Sequence, residues 1–257
     1  MSIFSTRFLQ SSFHTRFFSG LVLLAMLLLP LVAFAVTGFG PNRYPNPRST
    51  GIGVFFAPKA CPIYATPSFD KDPIEWLRWD VSGQVFSHQR QTTVDARRIF
   101  LAFYPAQQMA LLPVVSDNGV GWAEIQVNAT QTAWVPLRSQ WSEKERTEWP
   151  THWGEYQTWL EFMRDNAPKA GILWLSGVPE FKRSLHMEPD DAAKLVPIEL
   201  MRNVTVRHVR GDWMLLEVLD FNRESPMGWV RWRDDQGQLM AFPNLAKQRN
   251  PYVMGAR

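Results

Sequence analysis

The segment Val204-Thr-Val-Arg-His-Val-Arg-Gly-Asp-Trp-Met-Leu-Leu-Glu-Val218, followed by Gly228-Trp229-Val230, decides the fold. Successive side chains of a strand point to opposite faces, so Met214, Leu216 and Val218 share one face, which is entirely apolar. The opposite face begins with Trp213. Arg210-Gly211-Asp212 supplies residues that tolerate the positive φ angles of a tight hairpin. The segment therefore predicts two antiparallel strands and a third opening at Gly228.

A weaker copy of this pattern lies upstream. Gly121-Trp122-Ala-Glu-Ile-Gln-Val127 follows a turn at Asp117-Asn118-Gly119 and precedes Ala133-Trp134-Val135. Ala123 and Ile125 alternate onto one face, and Trp122 lies on the other. We expect the apolar faces to form cores, and we expect Trp122 and Trp213 to be partly exposed.

Both segments resemble the distal hairpin and closing strand of an SH3-like barrel, in particular the bacterial SH3 (SH3b) type. Gly211-Asp212-Trp213 and Gly228-Trp229-Val230 match that family's motifs, whereas the first copy has Ala133 where glycine is usual. Pro62–Ser68 also resembles the family's opening strand. The resemblance covers residues 52–138 and 170–245. It implies a mainly β protein of two SH3-like small barrels joined by a helical linker, and the apolar run near the N-terminus predicts one hydrophobic helix before them.

The predicted organisation places SH3-like domain 1, with a hairpin insertion, at 52–138 and SH3-like domain 2 at 170–245, before a tail at 246–257. Residues 139–169 form the helical linker. Ser142 and Glu145 have the spacing of a capping box. Trp153, Tyr156, Leu160 and Met163 follow the spacing of a helical stripe.

Two further hairpins share a Trp-x-Arg-Trp pattern followed by a polar turn and Gly-Gln. The first begins at Trp76 and the second at Trp229, which is consistent either with a diverged duplication or with chance. In each hairpin the tryptophans are three residues apart and fall on opposite faces of a strand. We expect only one tryptophan of each pair to be buried.

Residues 1–39 read as a signal peptide or a transmembrane anchor. A flank with Arg7 and Arg16 precedes the apolar run Leu21–Val36, which ends near Ala33-Phe34-Ala35. Pro30 and the Ala-x-Ala favour cleavage, whereas about 20 apolar residues from Gly20 to Phe39 are enough to span a bilayer. Both alternatives export residues 40–257. The Pro-rich spacer at 40–51 is expected to be extended and unpacked.

The charge and the cysteine content of the chain argue against nucleic acid as a partner and against an intrachain disulfide. The chain has 27 basic and 24 acidic residues; without Arg7 and Arg16, 25 basic residues remain, so the charge argues against nucleic acid as a partner. The single cysteine, Cys61, rules out an intrachain disulfide. It is most simply a buried strand residue.

No catalytic constellation is visible. The five histidines are scattered, and none has a second ligand at metal spacing. The acidic loop Glu188-Pro-Asp-Asp191 lacks the glycine and remote glutamate of a calcium loop. The sequence thus predicts a protein that is not an enzyme, with no metal and no cofactor.

The resemblance implies candidate groove residues: Tyr64, Trp122 and Pro136 in the first copy, and Trp213 in the second. The groove of bacterial SH3-like modules implies recognition of peptidoglycan or of an envelope protein or peptide. Arg231 stands where a proline would be expected in the second copy. A purely structural subunit of a membrane-associated complex, with the tryptophan faces buried, is the main alternative, and a degenerate cell-wall enzyme accessory is the third.

Overall fold

The computed structural model describes residues 38–128, 130–149, 151–197, 204–218 and 225–247. The predicted hydrophobic segment at 20–39 falls almost entirely outside these residues, and so does most of the predicted tail. Among the described residues no helix has the length and apolar character needed to cross a membrane.

The described chain is mainly β, as predicted. Ten strands precede the longest helix: β1 Gly53–Phe56, β2 Ala60–Ile63, β3 Glu75–Trp79, β4 Val85–Ser87, β5 Thr92–Val94, β6 Ala102–Tyr104, β7 Met109–Asp117, β8 Trp122–Gln126, β9 Thr132–Pro136 and β10 Tyr156–Thr158. Five follow it: β11 Ile172–Trp174, β12 Val204–Arg210, β13 Trp213–Val218, β14 Met227–Arg231 and β15 Ala241–Pro243. The helices are α1 Ala96–Ile99, α2 Glu143–Glu148 and α3 Trp159–Ala170. Short 3₁₀ turns occur at Pro47–Ser49, Pro105–Gln107, Arg138–Gln140, Glu180–Arg183 and Leu245–Lys247.

The first half of the protein (residues 52–158) contains two antiparallel sheets. One has the order β10-β1-β7-β8-β9, with β6 also paired to β7, and the other has the order β2-β3-β4-β5. A bridge between Tyr64 and Trp134 connects the loop after β2 to β9. The predicted hairpin that begins near Trp76 is confirmed as β3 and β4, and Trp79 is buried while Trp76 is half-buried.

The second half (residues 171–247) contains two smaller antiparallel sheets. β12-β13-β14 form a meander, and β11 pairs with β15. Met214, Leu216 and Val218 are at most 1% exposed, so the predicted core face of β13 is confirmed. The prediction of closed barrels is not met, because no sheet among the described residues closes on itself.

Helix α3 connects the halves. Thr158 and Glu161 form a capping box at its start, and Gly171, at φ 71°, follows its last residue. Its buried face contains Trp159, Phe162, Met163, Ala167 and Ala170. The ring of Phe162 lies 6.2 Å from that of Phe56 and 5.5 Å from that of Phe242. One hydrophobic core therefore extends from β1 through α3 to β15.

The linker differs from its prediction in one respect. The capping box of Ser142 and Glu145 is present at the start of α2. Trp153 and Tyr156, however, both precede the helix, which begins only at Trp159. Trp153 lies in a turn, and Tyr156 lies in β10, which pairs with β1. Side-chain spacing alone placed Tyr156 on a helical stripe, whereas the free edge of β1 provides the backbone partners that make it a strand.

The N-terminal strap (residues 38–50) corrects the prediction of an unpacked spacer. Phe39 forms a two-way backbone bridge with Phe103 of the first half, and Tyr44 donates its backbone N–H to Ser176 in the second. Ser49 is fully buried. Gly40 passes so close to Tyr104 that a Cβ at this position would lie 2.7 Å from its hydroxyl. Prolines stiffen this segment, but its backbone and side chains find partners on both halves.

Candidate functional site

Strand pairing in the first half brings three of the predicted groove residues together. Trp122 of β8 lies opposite Pro136 of β9. Tyr64 exchanges two backbone hydrogen bonds of 2.8 Å with Trp134, two residues before Pro136. The long loop between β2 and β3 therefore returns to the edge of β9 and places Tyr64 beside the Trp122–Pro136 pair.

Trp122 is covered by this loop. Its ring lies 5.2 Å from that of Tyr64 and 4.7 Å from that of Phe69. Trp122 is 4% exposed and Tyr64 is 7% exposed, whereas Phe69 is 55% exposed. The expectation of a partly exposed Trp122 is wrong, because strand alternation gives the face of a side chain but not what a distant loop places over it.

An open pocket of 320 Å³ adjoins Tyr64 and Pro136; we call it the Tyr64 pocket. Its walls are mostly aromatic and proline side chains, including Pro62, Tyr64, Trp76, Pro136, Trp141 and Trp149. Phe69 also lines it, whereas Trp122 is not among its lining residues. Aromatic walls of this kind offer large apolar contact area at a small cost in side-chain entropy.

The rim of the Tyr64 pocket is acidic. Gln140, Glu145 and Glu148 are its polar residues among those described, so both of its charged lining side chains are carboxylates. Burial raises the pKa of Tyr64, and the nearby charges of Asp72 and Glu145 raise it further. Because both charged lining residues are carboxylates, the pocket favours a ligand with a positive group.

Sequence reasoning missed Trp141 and Trp149, which form one wall. They flank α2 at both ends, and the capping box fixes where that helix starts. Trp141 comes directly before Ser142, and Trp149 directly after Glu148. The signal was present in these two flanking tryptophans, but nothing local shows that α2 packs beside Tyr64.

The second half places the fourth predicted residue differently. Trp213 is 7% exposed, so its expected exposure is also wrong. Arg231 pairs with it across the sheet, and the guanidinium lies 4.8 Å from the indole centroid. Arg231 Nε also donates to Asp191 Oδ1 at 2.9 Å. The face of Trp213 is thus covered by a cation of the chain itself.

Four positions correspond between the halves. His186 exchanges two backbone hydrogen bonds of 2.7 Å with Trp229, as Tyr64 does with Trp134. The rings of His186 and Trp213 are 5.3 Å apart and nearly perpendicular, as are those of Tyr64 and Trp122. Arg231 stands opposite Trp213 where Pro136 stands opposite Trp122. The two halves share this frame and differ in what covers its tryptophan.

Few side chains in the described part of the chain are arranged to bind a metal ion or to act as a nucleophile. No group of three or more histidine, cysteine, aspartate or glutamate residues there could hold a metal ion. Cys61 is 1% exposed. Burial raises the pKa of its thiol to about 12, which disfavours the thiolate that a nucleophile needs.

Comparison of the chain with protein-family models, curated proteins and solved structures gave no significant match.

Proposed function

We propose that this is a non-enzymatic binding or scaffold protein of the cell envelope, exported or membrane-anchored, that recognises an extended peptide. The peptide belongs to peptidoglycan or to an envelope protein. The observation that carries this proposal is the 320 Å³ Tyr64 pocket, with its aromatic and proline walls and two carboxylates at its rim.

The strand order supports an SH3-like origin for both halves. In each half the first strand pairs with the last, β1 with β10 and β11 with β15. A three-stranded meander lies between them in sequence, and the long loop after the first strands bridges to the third strand of that meander. The shared order, with the four corresponding positions, supports an ancestral duplication.

The acidic rim favours a peptide with a lysine, arginine or other cationic side chain. Glu145 and Glu148 line the pocket, and the charge of Asp72 reaches Tyr64. The second half contains an internal example of such an arrangement, because Arg231 lies on Trp213 and pairs with Asp191. A cation between an aromatic face and a carboxylate is attracted to both.

A structural role is the second candidate, and it applies to the second half. Arg231 and His186 already cover Trp213, which leaves its ring 7% exposed. In both copies the residues that cover the tryptophan come from the same half as the tryptophan itself, so neither tryptophan is buried between the halves. We therefore assign ligand binding to the first half and a supporting role to the second.

Retention of the full chain on purified cell-wall sacculi tests the proposal. Trp122→Ala would remove a core side chain and is a poor probe, so Phe69→Ala and Glu148→Gln are the informative variants. Both residues line the pocket and are exposed, and each change should lower retention about fivefold. Phe181→Ala, which truncates a phenylalanine 73% exposed in the second half, is the matched control and should retain fully.

The outcomes separate the alternatives. If the parent protein is not retained, peptidoglycan is not the ligand, and cross-linking in the native envelope should then identify a protein partner that Glu148→Gln weakens. Equal behaviour of Phe69→Ala and Phe181→Ala towards every ligand would remove the Tyr64 pocket from the function.

A further inference from the structure

A second pocket lies where the N-terminal strap meets the first half. It has a volume of 380 Å³ and is lined by strap residues together with α1 and the turn that follows it. Its chemically distinctive side chains are Phe39, Asn46, Arg48 and Arg97; we call it the Arg48 pocket. It shares no lining residue with the Tyr64 pocket.

The Arg48 pocket carries positive charge without a matching carboxylate. Arg48 and Arg97 are its charged lining residues among those described, and no ion pair is formed by either one within the described chain. Asp95, the nearest acid along the chain, caps α1 by accepting the backbone N–H of Arg97 at 2.9 Å. Arg98 adds a further exposed positive charge on the same helix.

Arg48 is held in place by neutral groups. Its Nη1 donates to the carbonyl of Phe100 at 3.3 Å, and its Nη2 donates to the carbonyl of Ile99. Burial lowers its pKa, with no compensating acid. A partly buried cation with only carbonyl partners favours an anion in the adjacent space, because that anion would balance its charge.

The pocket also lies at a defined place along the chain. The apolar run ends at Val36, three residues before Phe39. Phe39 is fixed to Phe103 by backbone hydrogen bonds of 2.8 and 2.7 Å. Only Thr37 and Gly38 separate the apolar run from Phe39 in the sequence. Arg97 also lies over the Phe39 ring, with its guanidinium carbon 5.5 Å from the ring centroid. An apolar run this close in sequence to the pocket favours a lipid headgroup as its anion.

We propose that the Arg48 pocket binds the phosphate headgroup of an anionic phospholipid and holds the folded body against the membrane surface. The ring of Phe39 contacts the glycerol region, and Arg97 and Arg48 neutralise the phosphate. The proposal rests on the membrane-anchored form of the proposed function, but it concerns a different surface from the peptide site, so a failure of peptide binding leaves it unaffected.

The test uses the full chain in amphipol, titrated with short-chain lipids that stay monomeric in water, so that the readout comes from the pocket rather than from the apolar segment. Dihexanoylphosphatidylglycerol should bind, and zwitterionic dihexanoylphosphatidylcholine should bind at least about fivefold more weakly. Arg97→Gln should weaken phosphatidylglycerol binding about fivefold, as expected for one basic residue at an anionic surface. Arg164→Gln, which changes an exposed arginine of α3, is the control and should bind as the parent does.

Three results would overturn the proposal. These are equal affinity for the two lipids, unchanged affinity in Arg97→Gln, and displacement of phosphatidylglycerol by an equal concentration of inorganic phosphate, which would indicate a simple anion site. Arg48→Gln is a second variant, because it also removes the contacts to the carbonyls after α1. It should lose affinity at least as strongly as Arg97→Gln in protein whose circular dichroism is unchanged.

Discussion

Tyr44 is the residue through which the strap is most strongly fixed to the second half. Its hydroxyl donates a hydrogen bond of 2.6 Å to Asp234 Oδ2. Asp234 is 4% exposed, and its Oδ1 accepts the backbone N–H groups of Gln236 and Gln238 at 3.0 and 2.8 Å. Lys182 Nζ donates to the Tyr44 hydroxyl at 3.0 Å and lies 3.7 Å from Oδ2. Tyr44→Phe therefore removes the only short contact to one oxygen of a buried carboxylate, within the described chain.

The expected cost follows from this geometry. A hydrogen bond to a charged group contributes about 1.5–3 kcal/mol, and an unsatisfied buried acceptor is expensive. Lys182 can move towards Oδ2 and recover part of the loss, so we expect a decrease of about 2 kcal/mol in the free energy of unfolding. For a folded body of this size, that decrease corresponds to about 4–8 °C in the melting temperature.

Tyr156→Phe is a matched control. The Tyr156 hydroxyl also donates to an aspartate, Asp117, at 2.6 Å, but that contact is exposed to solvent. Water replaces the lost donor there, so the decrease should stay below about 1 kcal/mol. Urea unfolding of both variants in parallel measures the difference. Equal decreases in the free energy of unfolding, or a decrease below about 0.5 kcal/mol for Tyr44→Phe, would refute the view that the burial of Asp234 makes its hydrogen bond to Tyr44 strongly stabilising.

The same bond predicts a pH dependence. Burial alone would raise the pKa of Asp234, but the Tyr44 hydroxyl and the N–H groups of Gln238 and Gln236 outweigh it, and the pKa lies below its usual value. A lowered folded-state pKa gives stability that is present above the unfolded value of about 4 and is lost as the pH falls through the folded value. The difference between parent and Tyr44→Phe should therefore be constant near neutral pH and shrink at more acidic pH. A difference that grows on acidification would contradict the assignment.

Three further predictions concern buried or partly buried side chains. Phe162→Ala should lower the free energy of unfolding by about 3–5 kcal/mol. Because Phe162 contacts both halves, calorimetry should show one transition at a lower temperature, and two separate transitions would contradict a shared core. Burial, with a smaller effect of Arg138, lowers the pKa of His152 to about 4. The contribution of His152 to stability should therefore be fully present above about pH 6.5 and be lost as the pH falls towards 4. His152→Gln should flatten this dependence of the urea midpoint, and an unchanged pH profile would contradict it. Cys61, with its thiol pKa raised to about 12 by burial, should react with a thiol reagent only after unfolding, and rapid labelling of the native protein would contradict its burial.

Local sequence rules predicted the strands and their core faces. Met214 and Leu216 are fully buried, because an alternating pattern needs only its own residues to determine a face. In both Trp-x-Arg-Trp hairpins one tryptophan is buried and the other half-buried, with Trp79 and Trp232 inside. The capping box at Ser142 is confirmed for the same reason, since its hydrogen bonds lie within four residues.

What the sequence did not predict depends on contacts between distant residues. Trp122 is buried because Phe69, more than 50 residues before it, packs on its ring at 4.7 Å. The strap packs because Asp234 and Gln238, near the other end of the described chain, accept its hydrogen bonds. Tyr156 is a strand residue because β1 has a free edge beside it. None of these partners leaves a local pattern, so composition and spacing misassigned all three.

The different roles of the two halves follow from how the same frame is completed in each. Where β9 ends in Pro136, no cation of the described chain lies on Trp122, and the 320 Å³ pocket stays open beside Tyr64. Where β14 ends in Arg231, the guanidinium lies on Trp213 and pairs with Asp191. Arg231→Pro would test whether this one side chain closes the second half, although proline in a strand also removes a backbone donor. Arg231→Ala avoids that cost, and it should expose Trp213 while leaving the meander paired. If Arg231→Ala then bound the same cationic peptide as the first half, the difference between a binding half and a supporting half would reside in a single position.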